Sequence, residues 1–156
     1  MRRGDRVAGR FALVSVGYAR FALNTELSAR LRAADVELLV DVRALAGSRR
    51  RGFSKTALAA ALAAAGIEYR HMRALGNPKP GRELYRRGRV AEGRAFFERH
   101  LSEQRDALEE LAAEIAQRRC AVMCACAEPA ACHRTAVIAA LQSWLGLTLD
   151  VTELVP

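Results

Sequence analysis

The sequence predicts an α/β domain: a three-layer arrangement with a mostly parallel sheet of about five strands and helices on both faces. Two observations carry this. Short apolar runs of strand length alternate with segments of helical periodicity, the pattern of successive βαβ units. The polar, chemistry-bearing residues follow the apolar runs directly, where open parallel sheets keep their ligand crevices. At 156 residues with 51% hydrophobic content, one domain over residues 11–156 can build its own core, preceded by a basic tail over residues 1–10.

Phe11 to Gly17 is an apolar run with a glycine stop and reads as the first strand. A helix follows, capped by Asn24 or Thr25, with Glu26 in its first turn and Leu27, Leu31 and Ala34 at helical spacing. Val36 to Val42 reads as a buried second strand. Ser54 marks the N-cap of the next helix, with Phe53 and Leu58 placed as a hydrophobic staple and Gly66 as the stop. Ile67 to Met72 makes the third strand, and Gly76 to about Val90 reads as a long Gly-, Pro- and Arg-rich loop. From about Glu92 to Arg118, Phe97, Leu101, Leu108, Leu111 and Ile115 mark one face of a single long helix, with His100 near that face. Cys120 to Ala125 forms the fourth strand. Val137, Ile138, Leu141, Trp144 and Leu145 face the core from the last helix, and Leu147 to Val155 is the fifth strand. The topology is Rossmann-like, but neither the dinucleotide nor the phosphate-loop glycine fingerprint is present, and no cofactor is expected.

No run approaches transmembrane length, and no apolar segment with a cleavage site follows the charged N-terminus, so a soluble cytoplasmic protein without membrane association is expected. The four cysteines, Cys120, Cys124, Cys126 and Cys132, fall within thirteen positions and cannot staple distant parts of a fold. Reduced thiols follow. Between Arg43 and Arg94 thirteen arginines and lysines face three glutamates, a surplus larger than the net charge of +8 for the whole chain. Such a concentration favours an anionic small molecule or nucleic acid as partner.

The densest chemistry lies in Cys124-Ala-Cys126-Ala-Glu128-Pro129-Ala-Ala-Cys132-His133-Arg134, between the fourth strand and the last helix. In the first helical turn, unpaired backbone N–H groups and the helix dipole favour a thiolate or a bound oxyanion. Cys132 is therefore the candidate nucleophile, with Cys124 beside it, His133 as proton carrier and Arg134 as anion clamp. A metal site on Cys124, Cys126, Cys132 and His133 is the rival chemistry, but the spacing lacks the two paired knuckles of a structural zinc site. Cys120 shares a strand face with Cys124 and reads as core. Tyr18, Asp41, Arg43 and His71 end the other strands and would meet in the same crevice. Arg49, Arg50 and Ser54 form a basic loop opening a helix, and Lys79 belongs to the long loop; all are candidate substrate contacts.

Taken together, Ser15-Val-Gly17-Tyr18, Leu38-Leu-Val-Asp41-Val-Arg43, Ser48-Arg49-Arg50 with Gly52-Phe53-Ser54, Gly66-Ile67-Glu68-Tyr69 with His71-Met72, Leu75-Gly76 with Pro78-Lys79, and Cys124 through Arg134 resemble the domain of unknown function 488 family over about residues 13–155. The resemblance implies a compact α/β domain in which Asp41, Arg43, Cys124, Cys132, His133 and Arg134 share a site. It brings no established reaction. Cys126 stands where the family pattern usually has an acid, and Glu128 where it usually has aspartate. Two readings follow: a cysteine-dependent enzyme acting on a phosphorylated or nucleotide-like substrate, or a non-catalytic nucleic-acid- or nucleotide-binding module.

Overall fold

A computed structural model describes residues 10–156. Apart from Arg10, which opens the first strand, the expected basic tail lies outside the described residues. The elements are β1 (Arg10–Gly17), α1 (Asn24–Ala33), β2 (Leu38–Asp41), α2 (Lys55–Ala64), β3 (Glu68–His71), α3 (Lys79–Arg86), α4 (Val90–Ser102), α5 (Arg105–Gln117), β4 (Cys120–Cys124), α6 (His133–Ser143) and β5 (Thr148–Glu153). The five strands pair in parallel throughout, in the order β3-β2-β4-β1-β5. Among the described residues no helix is long and apolar enough to cross a membrane.

The period-2 alternation of the strands divides the core into two layers. Leu13, Leu38, Val40, Cys120, Val122 and Cys124 pack against Phe97, Leu108, Leu111, Ile115 and Leu141 from α4, α5 and α6. Val14, Val16, Leu39, Ala121 and Met123 pack on the other face against Leu27 and Leu31 of α1 and Leu58 and Leu62 of α2. The sheet is thus the middle of three layers, buried on both sides, which is why its strands read as nearly unbroken apolar runs.

Four local features differ from the sequence reading. The Pro- and Gly-rich stretch after Asn77 is not a loop: α3 starts at Lys79, with Pro80 in its first turn, where a missing N–H loses nothing. The long helix is two, α4 and α5, joined at Glu103 and Gln104. Ser54 is the N-cap residue of α2 as expected, but its Oγ is engaged by Ser48 and makes no capping bond, and α1 is preceded by Leu23, with Asn24 Nδ2 donating to the Gly52 carbonyl. Trp144 is 41% exposed, not core, because α6 ends at Ser143.

The strand order places the site. From β1 the chain leaves through α1 toward β2, and from its neighbour β4 it leaves through α6 toward β5, on the opposite face. Where adjacent strands send their connections apart, a crevice opens at their carboxyl ends. In the register Gly17 stands beside Cys124, and Asp41 beside Met123. A Cβ on Gly17 would lie 1.6 Å from the Cys126 carbonyl oxygen, so only glycine lets the loop after β4 cross the end of β1. Gly76 is as constrained, since its Cβ would sit 2.3 Å from Ala44 Cα, and it lets the segment after β3 close against the Arg43 loop.

Candidate active site

A cleft of about 650 Å³ opens at this switch point. Tyr18 after β1, Arg43 after β2, and Cys124 and Cys126 after β4 reach it from three strands; His133 reaches it from α6, and Arg82, Tyr85 and Arg86 close it from α3.

Three of its groups are thiols. Cys124 ends β4, Cys126 lies two residues past it, and Cys132 is the N-cap of α6 with its sulfur accepting the Arg134 backbone N–H at 3.5 Å. The three Sγ atoms lie within 4.8 Å of one another, and those of Cys124 and Cys132 are 2.6 Å apart. Cys124 and Cys132 are buried, whereas Cys126 is exposed. Beneath them Arg134 is fully buried. Its Nε donates to Ser15 Oγ (2.9 Å), its Nη1 to Cys124 Sγ (2.9 Å) and the Cys126 carbonyl (2.8 Å), and its Nη2 to Glu153. Cys120, on the same face of β4, is core and away from the cleft lining.

Burial decides which sulfur carries charge. It pushes Cys124 up to about 12 and Cys132 well above its ordinary value, and each acts as a donor toward a neighbouring sulfur. Cys126 is pushed below the usual thiol range because both neighbouring thiols act as donors toward it, with the Arg134 charge adding to the effect. The helix N-terminus favours a thiolate at Cys132, but burial works against charge there, and Cys126 is the exposed sulfur of the three. Burial also lowers His133. Its Nε2 lies 2.6 Å from the Val42 carbonyl, which can only accept, so the proton is on Nε2 and the Nδ1 lone pair faces Cys132 Sγ at 3.9 Å.

Behind the cleft, Asp41 is fully buried and binds Arg43 through two oxygens, Nε at 2.9 Å and Nη2 at 2.7 Å, while the Tyr69 hydroxyl donates to the same carboxylate. Burial works against the Arg43 charge, yet the Asp41 carboxylate raises its pKa above the ordinary value. Arg43 also donates to the Phe53 carbonyl at 2.8 Å and lies over the Tyr18 ring, which stacks on Phe53. His71 Nε2 meets the Arg43 carbonyl at 2.7 Å. Arg50 donates to the carbonyls of Tyr18, Ala19 and Phe21. Ser54, His71 and Arg50 therefore brace the loops around the cleft and do not line it, and Lys79 lines an adjoining hollow of about 370 Å³ with Arg73 and His100.

Part of the open charge lies on the cleft wall. Elsewhere many cations are paired, as in Arg70 with Glu68 and Glu114, Arg94 with Glu98 and Arg105 with Glu109. Among the described residues Arg49, Arg82 and Arg86 have no carboxylate within ion-pair distance, and all three line the cleft. Arg82 and Arg86 are four apart on α3, a spacing that puts them on one helix face; reading the segment as a loop hid that signal. Tyr85, Ser15 and Glu153 were also not among the expected site residues, and Cys126 was expected only as a ligand of the rival metal site.

No curated protein and no solved structure matches the chain. The family model for the domain of unknown function DUF488 matches residues 24–141, a span holding Asp41, Arg43 and the whole Cys124–Arg134 segment, and the chain therefore belongs to the DUF488 family.

Proposed function

We propose that the protein is a cysteine-dependent enzyme acting on a phosphorylated or nucleotide-like substrate, with Cys126 as nucleophile. One observation carries this: the exposed thiol of the cluster, Cys126, and three arginines without acidic partners line the same cleft. Guanidiniums donate to phosphate oxygens in pairs, each contact worth about 1.5–3 kcal/mol. With the phosphoryl group held by Arg49, Arg82 and Arg86, the Cys126 sulfur attacks phosphorus as the bond to the leaving oxygen breaks. That oxygen takes a proton from solvent, and water then hydrolyses the thiophosphate and restores the thiolate. Neutral His133 offers a lone pair, so it receives a proton before it can return one.

The test is phosphate release from p-nitrophenyl phosphate and a panel of nucleotides and sugar phosphates. Saturable turnover is expected, abolished in Cys126→Ser, with KM raised at least tenfold in Arg82→Ala/Arg86→Ala. Turnover that survives Cys126→Ser overturns the reading. So does the absence of turnover combined with salt-sensitive nucleic-acid binding, which would favour the binding module.

A second reading, a soft-metal site on Cys124, Cys126 and Cys132, is favoured by the grouping of the three sulfurs. At a zinc–sulfur distance of about 2.3 Å, two sulfurs of a tetrahedral site stand roughly 3.8 Å apart. The 2.6 Å separation of Cys124 and Cys132 is too short for that, and the Arg134 guanidinium already contacts Cys124. Zinc binding at one equivalent, lost in Cys126→Ser, would support the metal instead.

A further inference from the structure

We propose that Cys124 and Cys132 are a redox pair which a hydroperoxide oxidises by way of Cys126. The inference uses the exposed Cys126 of the preceding reading but not its phosphorylated substrate. The two buried thiols are 1% and 2% exposed, so an oxidant entering the cleft meets Cys126 first. Their sulfurs, 2.6 Å apart, are about half an ångström beyond the roughly 2.05 Å of a disulfide bond. Cys126 is exposed in the cleft, with its sulfur within 4.8 Å of both. An accessible thiolate beside a second thiol is the arrangement that converts oxidation into a disulfide rather than into higher oxides.

Each partner has a group suited to its step. The Cys126 thiolate attacks the terminal oxygen of the hydroperoxide: the S–O bond forms, the O–O bond breaks, and the alkoxide leaves. Cys132 passes its proton to His133 Nδ1, 3.9 Å away, and attacks the sulfenic sulfur; the departing hydroxide takes that proton and leaves as water. Cys124 then loses its proton to solvent as it attacks the Cys132 sulfur, its developing negative charge accepting from Arg134 Nη1 at 2.9 Å, and Cys126 leaves as a thiolate. The proton lost by Cys124 balances the alkoxide. In sum, one hydroperoxide and two thiols give one alcohol, one water and a Cys124–Cys132 disulfide, the two electrons coming from that pair. A dithiol reductant resets it.

The experiment gives reduced full-length protein one equivalent of hydrogen peroxide, without substrate. After quenching, thiols are alkylated in denaturant with one label, then reduced and alkylated with a second. No lysine or arginine lies between Cys120 and Arg134, so all four cysteines fall on one tryptic peptide and fragment ions assign the labels. Two thiols are expected to be lost per peroxide, with the second label on Cys124 and Cys132 and the first on Cys120 and Cys126. Cys126→Ser should slow this at least tenfold, and Cys124→Ser should stop at a Cys126–Cys132 disulfide. Several results would overturn the proposal: no thiol lost, Cys126 driven to sulfinic acid with the pair still reduced, a disulfide between chains, or pair oxidation at an unchanged rate in Cys126→Ser. The wild-type mapping stands even if a variant fails to fold. Phosphate turnover on the same samples reports separately on the enzyme reading.

Discussion

Replacing Arg134 with methionine tests whether the thiol cluster rests on a buried ion pair. The guanidinium is fully buried and joins β1, β4, the Cys126 loop and β5 through Ser15, Cys124, the Cys126 carbonyl and Glu153. Methionine keeps most of the volume but removes every donor. Breaking a buried pair by removing one partner costs about 3–5 kcal/mol. Glu153 is 26% exposed and can rehydrate, which puts the loss at about 3 kcal/mol, near the low end. Against a total of about 5–15 kcal/mol this is a large fraction, and it corresponds to a fall in Tm of roughly 6–12 °C. Guanidinium-chloride denaturation with an unchanged m-value would measure it. Arg134→Lys, which keeps the charge but loses the fork, should fall between wild type and Arg134→Met. A methionine variant within about 1 kcal/mol of wild type, or a lysine variant equally damaged, would refute the ion-pair reasoning.

Asp41→Asn leaves the Arg43 guanidinium, 6% exposed, without its counter-charge and should destabilise by about 3–5 kcal/mol in thermal melts; an effect below about 1 kcal/mol would mean the pair is not holding the loop. Cys120 is pushed up to about 12 by burial, so the folded thiol stays protonated above the ordinary thiol pKa of about 8.5 while the unfolded one ionises. Because the native state then binds more protons, this thiol's contribution to stability is intact below pH ~8.5 and falls by about 1.4 kcal/mol per pH unit above it. Cys120→Ala should therefore be destabilised at pH 8 by its cavity and lose that deficit by pH 10.5, as read by denaturation at both pH values; a constant deficit would contradict the buried-thiol assignment.

How much could be read in advance depended on whether a residue's setting was local. The strands were legible because burial on both faces leaves continuous apolar runs such as Leu38 to Val42 and Cys120 to Met123. Their strand-end residues, Tyr18, Arg43 and Cys124, do meet in one cleft, as parallel topology requires. α3 was hidden by composition: Pro80 and Gly81 read as loop signals, although proline in a first helical turn is compatible with a helix, and Arg82 and Arg86 went unnoticed with it. Nothing local marks the break at Glu103, where packing of two helices replaces one. Cys126 read only as a rival metal ligand because its exposure depends on tertiary structure: β4 ends at Cys124 and the following loop crosses Gly17, leaving the Cys126 side chain exposed in the cleft. The fate of Cys132 turned on the balance between helix field and desolvation, which depends on tertiary burial.

The central claim is that the cleft holds one activated thiolate and that it is Cys126. The most direct measurement is the pH dependence of iodoacetamide alkylation at each cysteine of the native protein, resolved by fragment ions within the Cys120–Arg134 peptide. Cys126 is expected to react first, with a midpoint well below the ordinary thiol value of about 8.5, while Cys120, Cys124 and Cys132 stay protected until the protein unfolds. Faster reaction at Cys132 or Cys124, or a Cys126 midpoint at or above about 8.5, would contradict it.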